Sequence, residues 1–536
     1  MRIHAIPWLL LGIAAFAGCN AITGLGDLDF NREPAGVGGD DSTSSAGGST
    51  SSAGGSGGEG GGTVVEEPDP DLLWAKHFGD EAEDYPVGVA YAPNGDIVLG
   101  GTFSGTMDLG GGPLQSAGLQ NDAFIARFSP EGAPRFVRVI HDDDLGQDCV
   151  VDLAVSATGQ TVALVGTGAS ARCMAANRRN EIDMSRGFLF SGLTRFRLLV
   201  LDEAGTVTQT IPICNSCSAD TVGPFSVAVD PQGNLYVGGG FTGNLSVGSA
   251  SVNASGEEDA FVAKFTSAGN PVWLRRFGGN GNSFAVMTDL VVDGSGGLVI
   301  TGIWGGLIRI GQNQYNSNFP ASFIARLNDN GAPSWNRVFQ KTWMGATPRL
   351  ALASDGVLMG GDFVDSVDFG GGPLQTLAQD GDDSDLYLAK FSMGGAHVWS
   401  RRYGDAPAPL QREQGATSIA VEADGNILLG GVFGGTIDVG GTVLRAAGRR
   451  DAFVARLDAT GAYVSHRQIR GTTTETLQGD VVVAANGQGN VAVTGAFIGD
   501  VDYGHGQPFR SQAQNDGRND GILVLYKQPF YNEPAE

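Results

Sequence analysis

The sequence is poor in the residues that most binding chemistry and most membrane spans require. Lysine and arginine number 33 against 58 aspartates and glutamates, a formal net charge of 33 − 58 = −25. Basic side chains this few and scattered make no phosphate-tracking surface, which excludes nucleic acid as a partner. Histidine occurs six times, never in a His-Glu-x-x-His pattern, and no Walker loop is present. Beyond the first twenty residues no apolar run approaches the roughly 20 residues of a membrane-spanning helix. A strict Gly-X-Y period is missing too, which excludes collagen. Glycine is what the chain has in excess: 85 of 536 residues. Each costs about 1 kcal/mol inside a helix, so a helical protein is disfavoured. Two readings remain, disorder or very many tight turns, and they divide the chain between them. Apolar residues make up 41%, enough for a sizeable core.

Residues 1–18 read as a signal peptide. Arg2 gives a short basic start, and residues 6–17, with Trp8, Leu9, Leu10 and Leu11, form an apolar run too short to span a bilayer. The run ends in Phe16-Ala17-Gly18-Cys19, which resembles the lipobox of bacterial lipoproteins, with Phe16 where that family most often has Leu. The resemblance implies that Cys19 is lipidated and becomes the new N-terminus. Asn20 in place of Asp then implies the outer membrane of a Gram-negative cell envelope. Residues 19–71 follow as a tether. From Gly36 to Gly62 it is almost entirely Gly, Ser, Thr, Ala, Asp and Glu, a composition expected to stay disordered. About 50 such residues have a root-mean-square reach of roughly 35–42 Å. Gly54-Gly55-Ser56-Gly57-Gly58 matches a hydrolase nucleophile pattern by chance, having neither a strand before it nor a helix after it.

The rest repeats. Gly425-Asn426-Ile427-Leu428-Leu429-Gly430-Gly431-Val432-Phe433 recurs as Gly95-Asp96-Ile97-Val98-Leu99-Gly100-Gly101-Thr102-Phe103 and again from Gly233 to Phe241. The turn glycine falls at Gly95, Gly159, Gly233, Gly296, Gly356, Gly425 and Gly489, with spacings of 64, 74, 63, 60, 69 and 64. A second landmark, Ile125-Ala126-Arg127-Phe128 and its kin, stays in phase; its divergent copies are read at 198–201 and 522–525. Each unit reads as four strands, the second apolar throughout and buried on both faces, the fourth alternating and outermost. Four antiparallel strands repeated radially predict an all-β, seven-bladed β-propeller. The units are 72–134, 135–206, 207–271, 272–333, 334–397, 398–462 and 463–527, within a head of residues 72–536. The head begins with a fourth-strand sequence and ends with a third strand, so residues 72–79 are expected beside 521–527, closing the ring.

The Asp-x-Gly-Asn turns, Gly-Gly-x-Phe strand ends, Asp-Ala-Phe-Val-Ala-Lys/Arg strands and Trp-x-x-x-Phe/Tyr-Gly strands resemble the bacterial SBBP propeller repeats over about residues 72–527. The resemblance implies an exported propeller and no defined reaction. Gly331-Ala332-Pro333-Ser334-Trp335 is also similar to the repeats of quinoprotein dehydrogenases, where such tryptophans dock blades together. With Cys19 set aside, Cys149, Cys173, Cys214 and Cys217 remain, an even number in an oxidising compartment. Disulfides are expected, and Cys149–Cys173 with Cys214–Cys217 closes local loops; a Cys₄ zinc site or a redox Cys-x-x-Cys is the alternative. Cys149 and the Cys214/Cys217 pair are placed in blade-to-blade connections. Asp380, Asp382, Asp383 and Asp385 form an oxygen-rich loop of the kind calcium takes. It lacks the Gly that an EF-hand needs at position six, where Asp385 stands, and reads first as a solvated acidic loop; no other cofactor is implied. Two carboxylate sets recur by repeat, Asp108, Asp368, Asp438 and Asp502, and Asp122, Asp259, Asp385, Asp451 and Asp520. Recurrence points to structural capping of turn N–H groups. The histidines do not converge: His77 and His466 fall in outer strands, His397 just before one, His141 and His505 in loops. The expected protein is a lipid-anchored envelope protein with a monomeric head that binds a protein or a polysaccharide through its loop-rich rim without catalysis. The alternative is a propeller enzyme, a glycan lyase or hydrolase or a quinoprotein, using carboxylates in the central pore.

Overall fold

The computed structural model describes residues 71–80, 82–117, 121–141, 146–168, 193–214, 222–340, 348–376, 384–404, 414–471, 481–504, 508–510, 519–528 and 530. All lie in the second of the two units, Met1–Val64 and Val65–Glu536, into which the chain divides. The signal segment, Cys19 and the tether to residue 70 fall outside the described residues, as do Cys173, Cys217, Asp380, Asp382, Asp383 and His505.

Every described regular element is a β-strand. The sixth blade shows the plan: Gln414–Val421, Ile427–Phe433, Asp451–Leu457 and Tyr463–Gly471 pair antiparallel in that order from the axis outward. Five other blades repeat it over residues 84–140, 147–212, 222–277, 284–340 and 349–403. The seventh takes three strands from residues 482–527 and its outer strand, Leu72–Phe78, from the start of the head. Ala75 opposes Val524, His77 opposes Ile522 and Phe78 opposes Gly521, so the ring closes as the chain ends foretold. Units cut at the repeat landmarks are therefore offset from the blades by one strand.

Each second strand alternates its side chains between two blade-to-blade interfaces, which is why it reads as continuously apolar. Val98 packs between blades 1 and 2, and Leu99 between blades 7 and 1. Seven buried clusters result among the described residues, one for each interface of the ring. The paired glycines of the second strand follow from the convergence of blades near the axis. A Cβ on Gly100 would press on Leu153 of the next blade, one on Gly360 on Ile419, and one on Gly430 on Val483. A Cβ on the second glycine of the pair would strike the carbonyl of its own inner strand, Tyr85 O for Gly101 and Gly415 O for Gly431.

Several local expectations are revised. Six of the seven turn glycines adopt φ between 82° and 89°. Gly356 instead sits in the ladder opposite Ala353, because the fifth inner hairpin is shorter and turns at Ser354-Asp355. The seventh copy of the third-strand landmark lies one residue later, at Leu523–Tyr526, since Tyr526 opposes Val491 as Phe128 opposes Ile97. His397 begins its outer strand. Cys149 lies within the inner strand Gln147–Val155, paired with Gly166, rather than in a connection.

Candidate functional site

Antiparallel order gives the ring two different faces. The hairpins after the inner and third strands share one, the turn face. The hairpins after the second strands share the other, the loop face, with the connections between blades. By the same order the chain enters its outer strand at Asp71 and leaves its last third strand at Lys527 on the turn face, where Lys527 N–H donates to Asp71 O at 2.7 Å.

Both recurring carboxylate sets are engaged in structure. Asp108 accepts from the backbone N–H of Gly110 and Gly112 at 2.7 and 3.1 Å, and Asp368 from Gly370 and Gly372 at the same distances. Asp438 and Asp502 cap Gly440 and Gly504 at 2.9 and 2.8 Å. The third-strand set is buried. Asp122, Asp259 and Asp451 accept the N–H of Ala117, Ser255 and Ala447 in the preceding hairpins at 2.8, 2.8 and 2.9 Å. Four also bind the outer strand beside them: Asp259 with Arg276, Asp385 with Arg402, Asp451 with Gln468 at 2.7 Å and Asp520 with His77 at 3.1 Å. This explains the glycine of the Trp-x-x-x-Phe/Tyr-Gly strands. A Cβ on Gly278 or Gly404 would collide with Oδ1 of Asp259 or Asp385. Blade 4 replaces the Asp by Ala321 and has Val338, opposite Phe323, where its neighbours carry the polar partner, so the two changes match.

The outer-strand tryptophans dock blades. Trp74, Trp273, Trp335 and Trp399 donate Nε1–H to Pro130, Asp329, Met393 and Ala459 carbonyls in the next blade's third hairpin, at 2.8 to 3.2 Å. Trp74, Trp335 and Trp399 lie against a left-handed glycine there: Gly132, Gly395 or Gly461.

Nearest the axis, the innermost strands carry Asp152 and Asp289, and both serve as staples. Asp152 accepts from Val227 N–H at 2.9 Å and Asp289 from Leu350 N–H at 2.8 Å, each in the next blade's inner strand. Ser418 accepts from Val483 N–H at 3.1 Å in the same manner. The carboxylates that do approach one another lie at the closing seam. Asp84 is fully buried, and neither of its oxygens accepts a well-formed hydrogen bond. Burial, then the charges of Asp520 and Asp80, push its carboxyl well above the usual range, with the Asp80 backbone N–H only partly opposing them. One oxygen of Asp84 and one of Asp520 would both collide with a Cβ placed on Gly79. A sealed pair of this kind offers no substrate access. Among the described residues no three His, Cys, Asp or Glu side chains form a metal-binding group. His466 is held neutral, its pKa lowered to about 4 by burial and then by Arg467 and Arg470. Cys149 is buried and Cys214 half-buried against the same cluster between blades 2 and 3.

On the turn face a cavity of about 510 Å³ opens between the inner hairpins of blades 7, 1 and 2. Tyr91, Val155 and Ala485 line it, each the last residue of its inner strand. The same register position holds Val229, Val292, Leu352 and Val421 in the other blades. Tyr91 is thus the single aromatic at a position otherwise Val, Ala or Leu, a break in the repeat that the cavity gives meaning.

No family model matches the chain, and no curated protein does. Solved structures match it along most of its length. One is an ulvan lyase of polysaccharide lyase family PL25, at 10% identity, 81% of this chain, 96% of that chain and a TM-score of 0.40. Another is Drosophila Plexin A in complex with Semaphorin 1b, at 9%, 87%, 88% and 0.39. A third is a protein of unknown function from Dyadobacter fermentans, at 11%, 86%, 99% and 0.37. Likenesses this distant carry no argument about this chain's activity or partners.

Proposed function

We propose that this chain is an exported, lipid-anchored envelope protein whose propeller head, built of SBBP-type repeats, binds a protein or polysaccharide through its loop face without chemical turnover. The observation that carries the reading is the use of the recurring and axial carboxylates. The described members of both repeating sets and the inner-strand Asp152 and Asp289 are spent on capping turns, pairing with the outer strand beside them or stapling blades. An active site needs titratable groups converging within hydrogen-bond reach of an accessible pocket. Entry and exit of the chain on the turn face leave the opposite, loop face for a partner. Lipidation of Cys19 is supported by the lipobox resemblance, and disulfides by the even number of remaining cysteines and by Cys149 and Cys214 packing against one buried cluster. Their partners would be Cys173 and Cys217.

The test uses the full chain in detergent. It is incubated with a panel of envelope polysaccharides and purified envelope proteins, with and without calcium, while retention and product formation are read in parallel. Saturable retention without new reducing or unsaturated sugar ends supports the reading; turnover of any polysaccharide overturns it in favour of a lyase or hydrolase. Cys19→Ser should abolish labelling by a fatty-acid analogue, and persistent labelling would overturn the anchor.

A further inference from the structure

We infer that the turn-face cavity between the inner hairpins of blades 7, 1 and 2 is a binding site for a neutral saccharide unit. Its volume of about 510 Å³ lies within the roughly 300–1,000 Å³ usual for small-ligand sites. No charged side chain lines it, so it has nothing to neutralise a phosphate, carboxylate or ammonium buried there. Its walls combine an aromatic ring, Tyr91, with small apolar residues and with the polar side chains of Asn486 and Gln488. A flat apolar platform beside amide groups suits a sugar ring, which presents an aliphatic face and a rim of hydroxyls. The Tyr91 hydroxyl is itself buried and makes no hydrogen bond within the protein, so Tyr91 offers the cavity its ring, and the hydroxyls of a sugar fall to Asn486 and Gln488.

Asymmetry is the second support. At the equivalent position the other six blades carry only aliphatic side chains, Val, Ala or Leu. Tyr91 departs from that pattern where the cavity is, and Ala485 on the opposite wall is among the smallest residues at its position. At Gly487, on the rim, an added Cβ would meet open space. The hairpin there is held by Asn486 Oδ1, which accepts from Gln488 and Asn490 N–H at 3.0 and 2.9 Å, so the rim is preformed rather than assembled on binding. The inference does not depend on the loop-face reading, since it concerns the other face.

The test titrates the full-length protein with maltotriose and tri-N-acetylchitotriose, and with trigalacturonate as the anionic control, by calorimetry and ligand-observed NMR. At least one neutral trisaccharide should bind. Gly487→Trp should weaken it at least tenfold while leaving the unfolding midpoint unchanged. Tyr91→Phe should keep the platform and the fold, and Tyr91→Ala should weaken binding as much as the Trp block. Failure of both neutral sugars to bind, equal binding of trigalacturonate, or binding indifferent to Gly487→Trp each overturns the site. Loop-face retention of a polymer that persists in Gly487→Trp leaves the proposed function standing alone.

Discussion

The interface between blades 5 and 6 and that between blades 6 and 7 solve the same docking problem with different chemistry. At the first, the outer strand of blade 5 meets an unbroken hairpin. Trp399 donates to Ala459 O at 3.2 Å, Arg401 to Thr460 O at 2.9 Å and Tyr403 to Gly461 O at 2.8 Å. At the second there is no hairpin to meet, because blade 7 draws its third and fourth strands from opposite ends of the head. Ser465 stands where the tryptophan would be, and Arg467 takes over. It pairs with Asp71 at 3.3 Å and lies over the rings of Tyr526 and Phe530, 5.5 and 5.9 Å from their centres. One buried guanidinium thus ties the two ends of the head to blade 6. Hydrogen bonds to the carbonyls of one continuous turn, one of them from the Arg401 guanidinium, are replaced by an Arg467 ion pair with a carboxylate on a separate strand, and the seam should be the more fragile of the two interfaces.

The largest test removes the closure. A chain lacking residues 72–78 leaves the third strand of blade 7 as an open edge and loses Phe78 from the core between blades 7 and 1. The expected loss exceeds about 5 kcal/mol, a large share of the ~5–15 kcal/mol of a typical domain. Chemical denaturation read by near-ultraviolet circular dichroism would show it; an unchanged midpoint would mean that the outer strand is dispensable. Next in size is the pair Arg467→Ala and Trp399→Phe. Arg467 is 2% exposed, and breaking a buried ion pair costs about 3–5 kcal/mol. Trp399→Phe removes one exposed hydrogen bond and keeps the ring, about 1 kcal/mol. Equal losses would erase the contrast between the two interfaces.

Asp84, on the other side of blade 7, brings pH into the comparison. Its pKa is raised in the folded protein, so the native state holds the proton more tightly than the unfolded chain. The stability this lends is complete below the unfolded value near 3.8 and is lost as pH rises through the folded value. Asp84→Asn keeps the shape without the charge. It should stabilise the protein by about 1–3 kcal/mol at neutral pH, with the gain vanishing toward pH 4. A gain constant from pH 4 to 8 would place its cause elsewhere than in this carboxyl.

Legibility in the sequence followed the repeat. The blade count, the glycine pairs, the capping aspartates and the docking tryptophans were readable because each recurs at a fixed spacing and its partner lies one blade away. Ring closure was readable because the leftover strands complement each other. What was missed breaks the period or joins distant residues: Arg467 and Asp71 are 396 positions apart, and the crowding of Asp84 by Asp520 arises only once the ring is shut. Tyr91 was passed over in the sequence, because an aromatic at one strand end says nothing until three hairpins are seen to leave a hollow beside it. The function of the loop face was least legible of all, since fold alone does not specify a ligand.

The smallest test asks how far the seam's difference extends. On the loop face the two interfaces are alike. The blade 6 hairpin bearing Asp438 bridges to Gly404 of blade 5, and the blade 7 hairpin bearing Asp502 pairs with Arg470 of blade 6. Each aspartate caps its own hairpin, Gly440 in one case and Gly504 in the other. Asp438→Ala and Asp502→Ala should therefore cost the same, about 0.5–1 kcal/mol each, measured as paired denaturation midpoints. Matched values confine the seam's special chemistry to the turn face, where Asp71 meets Lys527 and Arg467. A markedly larger cost for Asp502→Ala would mean that the seam depends on its loop-face hairpin as well, and that Arg467 is one of two clamps.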